Sequence, residues 1–379
     1  MQQIILAPDS FKGTLEAVEV CRILSEAARK TWPDCRIHAL PVADGGEGTV
    51  DCFLRALNAR RITLPVTGPF YGETVSASYA LAGDTAVLET ASTAGLPRVE
   101  GRENPAAATT YGLGELIRDA LGRGCTRIVL GLGGSCTNDC GVGLARALGT
   151  VFYNQSGDPF VPRGDTLEEI SRYDCAETRR LLAGAEVTAM CDIDNPLYGP
   201  RGAARVFAPQ KGAGPELVAL LDRNLAAMAE TIRQVSGLEV QKIPGAGAAG
   251  GLGAGVAAFL GGSLRPGIDL VLELTGFDRL LPGTDLVITG EGRVDSQSLD
   301  GKVVSGVARR AKAAGVPVLA LAGSVGDDLD LDRARAMGVT AVCSINRAAV
   351  DFSVSRHHAG ENLAFAAENL MNLLRGLGR

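Results

Sequence analysis

QIILAPDSFKGTLEAVEVCRILSEAARK, residues 3–30, is the stretch that decides the fold. Residues 3–7 form a short apolar run, the pattern of a buried strand. Residues 15–30 carry apolar positions at helical spacing, with Thr14 as the expected N-cap. Arg29 and Lys30 fall in the last turn, where cations complement the helix dipole. Between the two lies a polar turn, Pro8-Asp9-Ser10-Phe11-Lys12-Gly13. Strand, turn and amphipathic helix in that order are half of a βαβ unit, so the chain is expected to build a parallel sheet.

The same alternation continues outward. Residues 36–42 read as a strand and 49–57 as a helix. Near the other end, 284–289, 317–321 and 339–345 read as strands, beside helices over 302–314, 331–337 and 356–374. In the middle, 61–82 predicts two antiparallel strands around the turn at 68–72, and 86–90, 127–132 and 186–191 are further strands. Both ends of the chain share one βαβ style. The fold class expected is α/β with two domains. A discontinuous, doubly wound, mostly parallel domain is formed by 1–60 plus 285–379, and a second α/β domain, 61–284, is inserted into it. An active site is expected in the cleft between them.

Composition narrows the function. A length of 379 residues suits two domains, each able to bury a core without staples. The net charge is −6 and aromatics make up 4%, which argues against nucleic-acid and anionic-membrane partners. Nine scattered cysteines without a CxxC pair, and only three histidines, speak against a structural zinc site and for reduced thiols. The N-terminus has no basic region ahead of its apolar run, and the uncharged stretch 243–264 is too rich in Gly and Ala for a membrane span. A cytoplasmic protein, monomer or homodimer, is expected.

Five loops after strands combine Gly, hydroxyls and charges. In the first, Asp9, Ser10 and Lys12 precede a helix, a setting for a phosphate or carboxylate; a capped turn with a surface lysine reads equally from the letters. In PVADGGEGT (41–49), Asp44 and Glu47 suit Mg²⁺, which takes carboxylates plus phosphate oxygens, or else cap the next helix. Gly133, Gly134, Ser135, Thr137, Asn138 and Asp139 form a loop able to cradle phosphates, or a tight turn. It lacks the P-loop lysine, and Thr137 replaces the second glycine of a nucleophile elbow. Asp192 and Asp194 alternate on an expected strand end and so would face one side, one as base and one as metal ligand. In the fifth, Glu291, Arg293 and Asp295 alternate, with Arg293 able to clamp an anion. Lys211 is a second phosphate candidate or a solvated lysine. PGAGAAGG (244–251) formally matches GxGxxG after an expected strand at 240–243, with Asp269 downstream. That match supports a rival reading, a nicotinamide-dependent dehydrogenase.

Taken together, APDSFKG (7–13), PVADGGEGT (41–49), GLGGSCTND (131–139), CDIDNPL (191–197), FAPQKGA (207–213), PGAGAAGGLG (244–253) and DLVITGEGRVD (285–295) resemble the type I glycerate kinase family, in order along nearly the whole chain. The resemblance implies a two-domain α/β enzyme that phosphorylates D-glycerate with ATP and Mg²⁺, usually at the 2-position to give 2-phosphoglycerate. At Cys136 and Cys140 the chain departs from the small residues more usual in the family, which would add sites for oxidation.

Roles follow on physical grounds. Asp192 would accept the hydroxyl proton, and Lys12, Arg293 and Lys211 would neutralise carboxylate and phosphates. Asp9, Ser10 and Asp44 would join them around the substrate, and Asp44, Glu47 or Asp194 would hold the metal. Gly133 to Asp139 and Gly247 would meet the nucleotide. A metabolite-binding module without turnover is the non-enzyme alternative.

Overall fold

Residues 3–7 do become a strand, and the sheet built on it is wholly parallel. The computed structural model describes residues 1–378 apart from Asp44, Glu47 and Asp300. Along the chain come β1 (Gln3–Pro8), β2 (Arg36–Ala39), β3 (Arg60–Thr67), β4 (Thr74–Ala82), β5 (Thr85–Glu89) and β6 (Arg127–Gly131). Next are β7 (Val151–Tyr153), β8 (Pro159–Phe160), β9 (Arg172–Asp174), β10 (Glu186–Met190) and β11 (Ser263–Arg265). Last come β12 (Leu286–Val294), β13 (Val318–Val325) and β14 (Val339–Ser344). The chain divides into two compact units. One comprises Met1–Asp44, Asp51–Asn58 and Pro266–Arg379; the other comprises Gly45–Val50 and Ala59–Arg265.

The first unit carries a sheet of order β14-β13-β12-β1-β2. All its pairings are parallel, with Ile4 opposite Leu286 and Ile5 opposite His38. Every residue of β1 is buried, as a strand covered on both faces requires. Side chains alternate between those faces. Ile4, Leu6, Ile288 and Leu321 join a core with Leu24 of helix Ala17–Thr31 and Leu363 of helix Ala359–Gly376. The N-cap expected at Thr14 falls instead at Glu16, because the Thr14 hydroxyl turns back to donate to the Phe11 carbonyl at 2.6 Å. The chain returns to this unit at Pro266 rather than at 285, since helix Gly267–Leu274 packs on helix Val303–Ala313 and Arg310 reaches Asp269 and Asp278. Strand order runs outward from β1 to β2, then reverses through β12 to β13. In open parallel sheets, ligands bind beyond the strand ends at such a reversal.

The second unit holds a sheet of order β11-β10-β6-β5-β4-β3. Its first four strands are parallel; β3 and β4 add an antiparallel hairpin in which Arg60 faces Leu81. A small antiparallel sheet, β8-β7-β9, was not foreshadowed by the sequence because its strands are only two or three residues long. Phe259 meets Phe152 of β7 and Tyr173 of β9 edge-on, those two rings are tilted at 45° to each other, and the centroids lie 5.2–6.2 Å apart. The strand expected at 240–243 is a 3-10 turn, Val240–Lys242. No helix among the described residues is long and apolar enough to cross a membrane.

Phe259 is buried at the centre of that aromatic trio. Phe259→Ala should therefore cost about 3–5 kcal/mol, the usual price of emptying an aromatic core site, as a lowered midpoint in urea unfolding.

Candidate active site

At the reversal in the first sheet, the ends of β1 and β12 are tied together. Pro8 pairs with Gly290, the Asp9 amide donates to the Gly290 carbonyl at 2.8 Å, and the Thr289 hydroxyl donates to the Ala7 carbonyl at 2.8 Å. Asp9, Ser10 and Lys12 leave β1 here. Asp9 is buried and accepts the Ser10 amide at 2.6 Å, while Lys12 is exposed. On β12, Glu291 is largely covered and Arg293 exposed, with Arg293 Nε 3.2 Å from Asp295. Glu291 Oε1 is buried and has no hydrogen-bond partner among the described residues. Burial holds its carboxyl above the ordinary glutamate range, against the opposing pull of Ser298, Lys302 and Lys12. The first unit thus gathers Asp9, Ser10, Lys12, Arg293 and, in addition, Glu291 and Lys302. The last two received no role from the sequence. The signal for Glu291 was its place between Gly290 and Gly292 at a strand end.

In the second unit, loops meet beyond the ends of β6 and β10. Gly133 donates to the Gly45 carbonyl at 2.9 Å, and a side chain at Gly133 would stand 2.6 Å from Gly46 Cα. The segment 244–251 also lies against this loop. Ala249, Gly250 and Gly251 all take left-handed backbone, and a Cβ on Gly250 would stand 2.1 Å from the Thr137 carbonyl. A Cβ on Gly247 would stand 2.3 Å from the Pro196 carbonyl. The glycine run thus serves loop-to-loop packing and follows a 3-10 turn rather than a strand, which removes the structural context of a dinucleotide fingerprint.

The loop after β6 is held from within. Lys211 is buried, and its ammonium donates to Ser135 Oγ at 2.9 Å and to the Thr137 carbonyl at 2.7 Å. Asp139 is also buried and accepts four hydrogen bonds: from the Thr110 amide and hydroxyl at 2.8 Å each, from Gly141 at 3.1 Å and from Gly143 at 3.3 Å. Burial raises the Asp139 carboxyl, and those donors oppose the rise. Asn138 is fully buried, with neither amide atom partnered among the described residues. Ser135, Thr137, Asn138 and Asp139 therefore face inward, and of the expected nucleotide loop only Gly133 and Gly134 reach the surface. Lys211 is not the solvated lysine that its Gly-turn setting allowed. Cys136 and Cys140 are buried in the same loop. Desolvation pushes the Cys136 thiol up to about 11 and Cys140 higher still, so both stay in the sluggish thiol form rather than adding exposed oxidation sites.

Asp192 and Asp194 do not share a strand face. β10 stops at Met190, and both carboxylates lie exposed in the irregular stretch that follows. Asp194 pairs with Arg201 at 2.7 Å. The Asn195 carbonyl accepts the Gly247 amide at 3.0 Å, which joins this stretch to the glycine run. Asp44 and Glu47 lie outside the described residues. Among the described residues, no group of three His, Cys, Asp or Glu could hold a metal ion.

Lys211 gives a testable pH dependence. Desolvation lowers its ammonium from the ordinary 10.5 to about 8, partly offset by Cys136 and Asp139. Between those pH values the unfolded chain keeps a proton that the folded chain has released, so this group's contribution to stability rises with pH. Across that window the wild type should gain on a Lys211→Met variant by up to roughly 3 kcal/mol, read from urea melts at successive pH values. A second prediction concerns the loop contact. Gly250→Ala should destabilise by more than about 2 kcal/mol, since the new methyl meets both strained backbone and a carbonyl.

The model of the glycerate kinase family matches residues 4–375. The chain is 43% identical over 371 residues to a glycerate kinase of Bacillus cereus, covering 97% of each. It is 40% identical over 371 residues to the glycerate 2-kinase of Escherichia coli K12, again covering 97% of each. A crystal structure of a candidate glycerate kinase 2 from Salmonella typhimurium LT2 superimposes with a TM-score of 0.87 at 39% identity, covering 99% of this chain and 98% of that one. With a match over nearly its full length in sequence and in fold, the chain is an enzyme that belongs to the glycerate kinase family.

Proposed function

We propose that this enzyme transfers the γ-phosphoryl group of ATP to the 2-hydroxyl of D-glycerate, giving 2-phosphoglycerate and ADP with magnesium as cofactor. The observation that carries the reading is the cluster at the reversal of the first sheet, where Asp9, Ser10 and Lys12 leave β1 beside the end of β12, which carries Glu291 and Arg293, with Lys12 acting on Glu291. A small hydroxy acid needs cations for its carboxylate and acceptors for its hydroxyls, and this cluster supplies both. The relative named glycerate 2-kinase supports the choice of position.

In the proposed reaction the glycerate hydroxyl oxygen forms a bond to the γ-phosphorus while the bond from that phosphorus to the bridging oxygen of ADP breaks. The hydroxyl proton passes to a carboxylate and then to solvent. Such transfers depend on positioning and charge neutralisation more than on covalent help from the protein. Lys12 and Arg293 neutralise the glycerate carboxylate and the moving phosphoryl. Asp192, exposed and close in sequence to the site loops, accepts the proton. The surface backbone of Gly133 and Gly134 contacts the nucleotide, as does the segment around Gly247. Lys211 acts from behind, adding positive charge to the loop it braces.

Magnesium favours carboxylate oxygens. Asp194 fits that chemistry as an exposed carboxylate whose Oδ1 is held by Arg201. Asp44 and Glu47 are proposed as further magnesium ligands on their chemistry alone. Bound there, magnesium would offset charge on the β- and γ-phosphates. The nicotinamide alternative loses its support with the strand missing before the glycine run.

Purified protein given D-glycerate, ATP and magnesium should yield 2-phosphoglycerate in phosphorus NMR. The 3-isomer would overturn the position, and no product from folded protein would overturn the reaction. Asp192→Asn should lower kcat at least tenfold, or about 1.4 kcal/mol of barrier, and a smaller loss would remove Asp192 as the base. Lys12→Met should raise the KM for glycerate or lower kcat by at least as much.

A further inference from the structure

Glu291 is the most unusual polar group of the first unit. It lies on β12 one residue past Gly290, the last position paired with β1, so it is the first side chain beyond the point where strand order reverses. On its other side it pairs with Ala322 of β13, which contributes only a methyl. Its carboxylate is mostly covered, and Oε1 is buried with nothing donating to it among the described residues. Buried carboxylate oxygens without a donor are costly and rare, and they cluster where a ligand completes the set. The groups around it are Ser298, Lys302, Asp295 and Lys12. Gly292 next to it lies close to Lys12, since a Cβ there would stand 3.2 Å from the Lys12 amide.

While Glu291 is ionised, the partner missing from Oε1 is a hydrogen-bond donor, because a carboxylate can only accept. A fully ionised phosphate oxygen offers Oε1 no donor. Two lysines beside the carboxylate disfavour a metal ion as well. A ligand with a hydroxyl for Glu291 Oε1 and an anionic end on the side of the lysines suits the charges at this place. We propose that Glu291 binds the substrate directly, with Oε1 accepting a hydrogen bond from a hydroxyl of the hydroxy acid whose carboxylate lies toward Lys12 and Lys302. The inference rests on the kinase reading above and adds to it the residue that selects for a hydroxylated acid. A site built to hydrogen-bond a hydroxyl discriminates strongly against analogues without one, because the buried acceptor is then left bare.

The test uses full-length Glu291→Gln and Glu291→Asp, with steady-state kinetics and thermal melts with and without D-glycerate. Gln keeps the shape but removes the charge, and Asp keeps the charge but withdraws it by one methylene. For the Gln variant the KM for glycerate should rise at least tenfold while the KM for ATP stays within about twofold. The stabilisation that glycerate gives the wild type on melting should shrink accordingly. Without ligand, the Gln variant should melt no lower than the wild type, since the charge on a largely buried carboxylate is lost. The Asp variant should fall between the two in glycerate KM. An unchanged glycerate KM in both variants, or a ligand-free melt several degrees lower for Gln, would overturn the assignment and leave Glu291 a structural residue. Wild-type protein that neither turns over D-glycerate nor is stabilised by it would bring down the kinase reading and this inference together. Turnover by wild type with unaffected variants would bring down this inference alone.

Discussion

A charge taken out of water must find oxygens or amides to replace it, and in the second unit two such charges shape the rest. Lys211 and Asp139 are both buried within the loop after β6. Lys211 draws in the Ser135 hydroxyl and the Thr137 carbonyl, and Asp139 draws in Thr110 and the amides of Gly141 and Gly143. Because those groups are committed inward, what the loop offers outward is the backbone of Gly133 and Gly134. The neighbouring loops lie close, and the glycine run at 244–251 has no room for side chains at Gly247 and Gly250.

The first unit solves a different problem. Its parallel sheet is covered on both faces, so the exposed polar chemistry can collect only at strand ends. Reversal of strand order between β1 and β12 opens a place there that neither flanking crossover fills. The residues that end those two strands, Asp9 to Lys12 and Glu291 to Arg293, are neighbours in space although some 280 positions separate them in the chain.

Much of this was legible from the letters where local rules decide. The apolar run 3–7, the antiparallel pair within 61–82 and the strands near 86, 127 and 186 all form, because period-two patterning and turn residues act locally. Where distant packing decides, the letters misled. Thr14 has the chemistry of a cap, yet its hydroxyl finds the Phe11 carbonyl first. Residues 240–243 carry a strand-like apolar spacing but turn instead, as the 3-10 helix Val240–Lys242. Asp192 and Asp194 looked like strand alternation, but β10 ends before them. Burial of Lys211 could not be read from its Gly-rich setting, because the walls that enclose it come from residues 135–137, about 75 positions earlier.

Cys136 and Cys140 sit buried inside the loop that Lys211 and Asp139 brace. Their thiols are reagent-proof only while that loop stays closed. They are therefore natural clocks for its breathing: the speed at which a small alkylating agent reaches them measures how often the loop opens, separately from whole-chain unfolding. A ligand that settles on the outer backbone of Gly133 and Gly134 would slow those clocks without touching either sulfur.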